Sequence, residues 1–331
     1  MILLCGIPTE TPLELVRARL EARGEPHLVF GQRGFADMDL EFGIGAGAVT
    51  GTLRIDGRTH RLEDVSAVYV RLMDDQHLPE LGGEPEGSPL RQRARRLHDA
   101  LLRWCEITPA RVVNRMGAMG SNSSKPYQAQ TIVRHGFLTP ETLITNDPAR
   151  VRDFQTRHGR IVFKSMSGTR SIVQTLGPAD DERLERIRWC PVQFQAFVEG
   201  RNVRVHTVGE RVFATVITTE ATDYRYAVQQ VGDHAELEAV ELADDLAERC
   251  VRLARALELP FAGIDLKITP NDDVYCLEVN PSPAYSYYEG HTGQPISEAL
   301  ACYLAEATKS PTAFRYFFGP CLAMMCSLIL S

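Results

Sequence analysis

Two acidic residues and an amide stand at a spacing that suits a hard metal ion. In the stretch from Gly263 to Pro283, GIDLKITPNDDVYCLEVNPSP, two runs rich in β-formers flank the turn-forming cluster Pro270-Asn271-Asp272-Asp273. Pairing of the runs Gly263 to Thr269 and Val274 to Asn280 about that turn puts Thr269 opposite Val274, Lys267 opposite Cys276 and Asp265 opposite Glu278. Side chains alternate along a strand, so Asn280 shares the Glu278 face. Carboxylates directly across a strand pair have Cβ atoms about 4.5–5.5 Å apart and repel, so a cation is expected between them. Two carboxylates and an amide, completed by phosphate oxygens, suit Mg²⁺, and Mn²⁺ would also fit. For either acid alone, an exposed hairpin screened by water is the simpler reading. Both, however, lie inside apolar runs, where a lone charge is costly.

Three further stretches have the chemistry of anion binding. Arg160 to Lys164 reads as an apolar strand ending in a lysine, followed by the small-residue loop Ser165-Met166-Ser167-Gly168-Thr169-Arg170-Ser171 and a second strand, Ile172 to Leu176. Backbone N–H groups of such a loop can approach phosphates closely, and the ammonium adds a point charge. No Walker pattern is present, so a plain hairpin turn competes with this reading. Lys125 stands in a polar helix start, Ser121 to Pro126, whose Ser and Asn residues can cap a helix from Tyr127 to His135, and a helix N-terminus attracts phosphate. The strand Pro191 to Val198 enters Glu199 to His206, where Asn202, Arg204 and His206 share one face and Val203 and Val205 the other. Arg204 could grip an anionic group bidentately, although an exposed polar sheet face is the plainer account.

These groups need a scaffold of strands and helices, and the chain supplies one. MILLCGI, then Pro12 to Arg23 with Leu13, Val16 and Leu20 at helical spacing, then Pro26 to Phe30 read as strand, helix, strand. Gly43 to Ala48 imitates a dinucleotide-binding loop, but Thr52 to Ile55 beyond it reads as a strand where that motif needs a helix. Asp56-Gly57 turns the chain, and Ala67 to Leu72 is a buried strand ending at Arg71. Gly82 to Pro89 is a loop, mobile by composition. Leu90, Ala94, Leu97, Leu101 and Trp104 then mark one helix face, with Arg91, Arg93, Arg95 and Arg96 on the solvated side. Val112 to Asn114 is a short strand, and Phe213 to Thr218 is another, leading to a candidate substrate loop at Asp223-Tyr224-Arg225-Tyr226. Leu242, Leu246, Cys250, Leu253 and Leu257 form an amphipathic helix that Leu259-Pro260 ends just before the acidic hairpin. Tyr285 to Glu289 reads as a loop and Ile296 to Ala305 as the closing helix.

The whole chain narrows the classes. Its 331 residues can form two or three lobes on a large core, and a net charge of -7 carries no general nucleic-acid footprint. Eight Cys with no C-x-x-C pair favour reduced thiols in a cytoplasmic protein over a disulfide framework or a zinc site. Met1 to Cys5 lacks a charged n-region and a long h-region, so it reads as a first strand and no signal peptide. The apolar tail, Phe314 to Ser331, is broken by Gly319-Pro320 and falls short of the roughly 20 residues a membrane span requires.

In their order, the lysine before a helix, the lysine with its Gly/Ser loop, the Q-x-F-V strand, the Asn-x-Arg strand and the D…E-x-N hairpin resemble the ATP-grasp superfamily. The likeness is most specific at LEVNPSP, residues 277 to 283. Within the superfamily the chain is most similar to the RimK-type ligases, which include ribosomal-protein glutamate ligases and enzymes that crosslink ribosomal peptides. The resemblance, over residues 112 to 305, implies an α/β protein. An N-terminal α/β domain (1–111) would precede a two-lobed grasp with antiparallel sheets (112–308; smaller lobe about 120–188, larger about 190–308), followed by a tail at 309–331.

The resemblance further implies that Lys125 and Lys164 contact ATP phosphates, with Ser165, Ser167 and Gly168 in a loop closing over them. Gln195, Phe197 and Val198 would form the hinge against adenine, with Glu199 near the ribose. Arg204 would steady the γ-phosphate and the acyl phosphate, and Asp265, Glu278 and Asn280 would hold Mg²⁺. Arg71, Arg225 and Lys267 are candidate substrate contacts, as are Tyr285, Tyr287 and Tyr288, while Asn202 departs from the Asp of many relatives. The expected reaction activates a small-molecule or peptide carboxylate as an acyl phosphate, which an amine nucleophile displaces, releasing ADP and phosphate. No nucleic-acid partner and no transmembrane span are expected, and an oligomer is compatible. Because the motifs describe phosphate handling and not the acceptor, three alternatives stand: a macrocyclase forming ester or amide crosslinks, a kinase, and a nucleotide-binding regulator without turnover.

Overall fold

A computed structural model describes residues 1–164, 173–221, 232 and 235–309. The chain opens with β1 (Ile2–Gly6), the helix Thr11–Ala22 and β2 (His27–Gly31). An antiparallel sheet of β3 (Asp39–Gly45), β4 (Ala48–Ile55) and β5 (Arg58–Arg61) follows, so the glycine-rich 43–48 stretch is a hairpin, as its neighbouring strand required. The chain then returns through β6 (Ala67–Arg71), the helix Pro89–Ile107 and β7 (Arg111–Val113). Strands β2, β1, β6 and β7 line up in that order as a parallel sheet. Every residue of β1 is buried, as a parallel strand covered on both faces demands.

One face of this sheet packs on the helix Pro89–Ile107 through Leu97, Leu101 and Trp104. The other is roofed by the helix Thr11–Ala22 and by the last described helix, Ile296–Lys309, through Leu300 and Leu304. Thus β7 and the closing helix, both expected in the grasp, pack with the N-terminal sheet. The arginines expected on a solvated face are mostly committed to neighbours. Arg91 donates to the carbonyls of Leu81 and Glu84 at 2.8 Å, holding down the loop that composition suggested was mobile. Arg93 donates to the Met38 carbonyl at 2.8 Å, and Arg95 pairs with Asp75 at 2.9 Å. A guanidinium on a long stem reaches backbone acceptors beyond its own helix, which a helical wheel does not reveal.

After the helices Met116–Met119 and Lys125–Arg134 comes a four-stranded antiparallel sheet. It contains β8 (Thr142–Thr145), β9 (Ile161–Lys164), β10 (Gln174–Thr175) and β11 (Val192–Ala196), in the order β10-β9-β11-β8. The helix Pro148–His158 covers one face with Val151 and Phe154. A five-stranded antiparallel sheet follows, made of β12 (Arg201–Val208), β13 (Arg211–Thr218), β14 (Glu236–Val240), β15 (Phe261–Ile268) and β16 (Val274–Asn280). Its order is β14-β13-β12-β15-β16. Val203, Val205, Ile264, Leu266, Cys276 and Val279 turn one face toward the helix Asp244–Ala256, which packs back with Leu246, Cys250 and Leu253. That helix carries Asp244 and Asp245 in its first turn and Arg255 in its last, in accord with its dipole.

The segment read as a loop at Tyr285 to Glu289 is instead part of a helix, Tyr285–Thr292, ended by Gly293 in the left-handed conformation. Tyr285 and Tyr288, one turn apart, are its buried side, a signal that the aromatic composition obscured. The loop Ser165 to Ser171, Asp223-Tyr224-Arg225-Tyr226 and the tail beyond 309 lie outside the described residues. Among the described residues no helix is long and apolar enough to cross a membrane.

Candidate active site

The acidic hairpin forms with Asp265 paired to Glu278 and Gly263 to Asn280, as expected. Nearer the turn the register slips by one: Lys267 pairs with Tyr275 and Leu266 with Cys276, not Lys267 with Cys276, and Ile268, not Thr269, faces Val274. Thr269 belongs to the turn, exchanging backbone hydrogen bonds with Asp273 and Asp272, and its hydroxyl accepts from the Asp273 amide at 3.1 Å. The extra residue is Leu277, a bulge between the two registers. Cys276 is therefore buried in the core behind the sheet, and burial pushes its thiol well up from the usual range.

Across the other face runs one row of paired residues, Thr215, Arg204, Asp265 and Glu278, contributed by β13, β12, β15 and β16. Arg204 Nη1 donates to Asp265 Oδ1 at 2.8 Å. Lys125 Nζ lies 2.9 Å and Lys164 Nζ 3.7 Å from the same oxygen, Glu278 Oε2. The charge that two facing carboxylates demand is thus supplied here by side chains from three other elements, and Arg204 and Lys164 are themselves buried. Lys125 opens the helix Lys125–Arg134, earlier than predicted; Ser124 occupies the N-cap position without a side-chain cap bond, while Asn122 accepts from Lys125 Nζ at 2.9 Å.

A Cβ on Gly263 would overlap the Arg204 guanidinium and Pro283, so a side chain there would have to displace that arginine. Beside it, His206 is fully buried, with its ring edge-on to Tyr288 at 4.8 Å between centroids. Burial, and then the Arg204 charge, push this imidazole well below its usual range, so it is neutral at pH 7.

A cleft of about 310 Å³ opens beside the acidic row. Lys125, Ala129, Thr142, Lys164, Gln195 and Leu277 line it, which brings the helix, the four-stranded sheet and the acidic strand onto one space. Gln195 donates to the Thr142 hydroxyl at 3.0 Å. Gln193, on the same side of β11, is buried in the cleft wall, and its Oε1 has no hydrogen-bond partner among the described residues. The alternation of Gln193 and Gln195 in PVQFQAFV was the signal for that wall, whereas Thr142, Ala129 and Leu277 carried none.

At the hinge, the Phe197 ring lies 3.6 Å from the Arg160 guanidinium and 5.4 Å from Lys267 Nζ, with Val198 half-buried and Glu199 exposed. Lys267 donates to Asn202 at 3.0 Å, and burial first, then Arg160, lowers its pKa. Arg71 reaches the Pro283 carbonyl at 3.2 Å and Glu10 at 2.8 Å, which ties the N-terminal sheet to the end of LEVNPSP. Tyr285 is a packing residue whose hydroxyl donates to the Pro12 carbonyl at 2.6 Å, and Tyr287 is exposed. Ser165, Ser167, Gly168 and Arg225 lie outside the described residues.

The donor set fits Mg²⁺. Asp265 and Glu278 face one another on adjacent strands and Asn280 follows on the same face, with its Oδ1 accepting from the Ser282 amide at 2.9 Å. Among the described residues there is no group of three or more His, Cys, Asp or Glu placed to hold a metal ion. Two carboxylates and an amide are enough for an ion that takes its other ligands from phosphates and water.

Comparison with known proteins agrees with this geometry. The RimK-like ATP-grasp domain matches residues 123–304, more than half of the chain. A probable alpha-L-glutamate ligase of Xanthomonas axonopodis pv. citri (strain 306) is 26% identical over 270 residues, 76% of this chain and 90% of that protein. The ATP-grasp ligase PsnB, solved with a minimal precursor, Mg and ADP, superposes with a TM-score of 0.75 at 28% identity over 93% of this chain and 97% of its own. A RiPP-associated ATP-grasp ligase of Chryseobacterium gregarium, solved with ADP and a leader and core peptide, shares the fold with a TM-score of 0.79 at 22% identity, over 94% and 97% of the two chains. With the grasp sheets, the cleft between them and the family match in agreement, the chain is an ADP-forming ligase of the RimK-like ATP-grasp family.

Proposed function

We propose that the protein joins a peptide-borne carboxylate to an amine, using ATP held in the cleft beside Lys125 and Lys164. The observation that carries the reading is the convergence of both lysines on Glu278 next to the Arg204–Asp265 pair. Incoming phosphates would take over the ammonium groups and free the carboxylates. Asp265, Glu278 and Asn280 would then hold Mg²⁺, with Mn²⁺ as a substitute, and the bound ion would neutralise charge on the phosphates. Gln195, Phe197 and Val198 would seat the base, with Glu199 toward the ribose.

The chemistry asks the protein mainly for position and charge. The substrate carboxylate oxygen attacks the γ-phosphorus, the bond to the ADP oxygen breaks, and an acyl phosphate forms. The amine then attacks the acyl carbon, phosphate leaves with the C–O electron pair, and the amine proton passes to phosphate or water. Arg204, held by Asp265 over Gly263, would stabilise the oxygens that gain charge in both steps. Arg71 and Arg225 are assigned to the substrate side, whereas Lys267, expected there from the sequence, lies beside Phe197 and Asn202 and would serve the base and ribose end. One chain furnishes all of these groups, so the scheme requires no second subunit. Eight cysteines with no C-x-x-C pair support a reducing, cytoplasmic setting.

The peptide assignment is supported by the 28% identical PsnB, which matches nearly the full length of both chains and was solved with a precursor. The same likeness supports a second reading, in which the acceptor is a hydroxyl and the product an ester crosslink. The test is calorimetric titration of ATP with and without Mg²⁺, followed by ADP release in the presence of acidic peptides, small acids and amines. Mg-dependent binding with ADP release that requires an acidic peptide and an amine is the expected result. A stable phosphorylated product would refute ligation, and release driven equally by free small acids would refute the peptide.

A further inference from the structure

The helix Lys125–Arg134 stands between the two sheets, and its hydrogen bonds show which it belongs to. Strand β16 is the outer strand of the five-stranded sheet, so its outward backbone groups need partners from elsewhere. Gln128 provides them at Val279: its Nε2 donates to the Val279 carbonyl at 2.8 Å, and its Oε1 accepts from the Val279 amide at 2.9 Å. One side chain thus acts as a missing strand at the residue between Glu278 and Asn280. The Gln128 side chain is buried, and both ends of its amide are used. Leu138 continues the edge, its amide donating to the Val274 carbonyl and its carbonyl accepting from the Cys276 amide. Ile132 and Phe137 lie in the core of the five-stranded sheet. Lys164 comes from the other sheet, on β9.

We infer that Gln128 is a positioning residue that fixes Lys125, one turn away, to the strand bearing Glu278 and Asn280, so that Lys125 stays with the metal-binding strand. Of the two lysines on Glu278 Oε2, Lys125 keeps its place by this clamp, and Lys164 is the one whose distance depends on how the two sheets sit. A leucine or methionine would fill the space without burying polar atoms, so the amide is there for the strand. The inference rests on the reading of Lys125 as a phosphate contact.

The test is a double-mutant cycle on Mg-ATP affinity by calorimetry in the full chain, with Gln128→Met and Lys125→Met. Hydrogen exchange at the Val279 amide is measured on the same samples. Gln128→Met is expected to weaken Mg-ATP binding about tenfold and to speed Val279 exchange by a similar factor. Added to Lys125→Met, it should weaken binding no further, because Gln128 acts through that lysine. Losses that simply add, or a folded Gln128→Met protein with unchanged affinity, would overturn the inference. If Lys125→Met alone binds Mg-ATP normally, the phosphate role of Lys125 fails, and the positioning role fails with it. Should Gln128→Met not fold, Gln128→Glu decides: it keeps the acceptor for the Val279 amide but sets a carboxylate oxygen against the Val279 carbonyl, so Mg-ATP affinity should fall, and unchanged affinity in that folded protein would overturn the clamp.

Discussion

The parallel N-terminal sheet and the five-stranded antiparallel sheet bury similar apolar side chains and do opposite things with charge. In the first, β1 is apolar and covered on both faces, and Arg71 appears only where β6 ends. In the second, one face is core while the other carries Arg204, Asp265 and Glu278 in a single cross-strand row. Interior charge is costly unless paired, and here each charge is answered across a strand or from the cleft. The difference teaches that alternation lets one sheet be both wall and instrument, whereas a sheet covered on both sides can only support.

The sharpest test of that contrast is Glu278→Gln, which removes the charge shared by two lysines and the proposed metal. ADP release should fall by about 10²–10³-fold, while circular dichroism and a cooperative melt show the fold retained. Leu4→Ala, in the all-apolar strand β1, should do the reverse. It should cost about 2–5 kcal/mol in denaturant unfolding and leave Mg-ATP affinity unchanged in the folded fraction. Gly263→Ala probes the boundary between wall and instrument, because its methyl group would push on Arg204. A loss of about tenfold in turnover with ATP affinity nearly kept is expected from steady-state kinetics.

The smallest effect is one of pH. The folded protein holds His206 neutral below the usual imidazole range, whereas the unfolded chain takes up a proton near pH 6.5. The unfolded state then binds more protons, so this contribution to stability is complete above about pH 6.5 and is lost as pH falls toward the folded pKa. The slope is at most about 1.4 kcal/mol per pH unit for one proton. His206→Phe should lack that component when denaturant midpoints are compared across the window, and identical pH profiles would contradict the buried neutral ring.

What could be read from the sequence was what depends on local period and residue type. Asp265, Glu278 and Asn280 were legible because alternation fixes their faces, and Lys164 because a strand ends on it. The slip at Lys267 was not, since a bulge is set by how the turn at Thr269 closes and how Leu277 packs. Gln128 carried no signal, because the backbone groups it satisfies lie 151 residues away in sequence. The arginines of Pro89–Ile107 keep the solvated side that the helical period gives them, but their acceptors were not legible, because only the fold brings those near. The closing helix joined the N-terminal sheet because Leu300 and Leu304 needed an apolar partner, and sequence order does not say which sheet offers one.

The bulge at Leu277 puts an apolar residue of the cleft wall next in the chain to Glu278. In an unbroken strand a residue beside Glu278 would point to the far side of the sheet, but Leu277, left out of the pairing, lines the cleft with the Glu278 partners Lys125 and Lys164. A greasy surface and an ionic one are thus delivered by a single peptide unit, which would couple the grip on a flat ring to the grip on a phosphate chain. Removing Leu277 would restore even pairing and leave Glu278 facing Asp265, so the two grips can be separated by one codon.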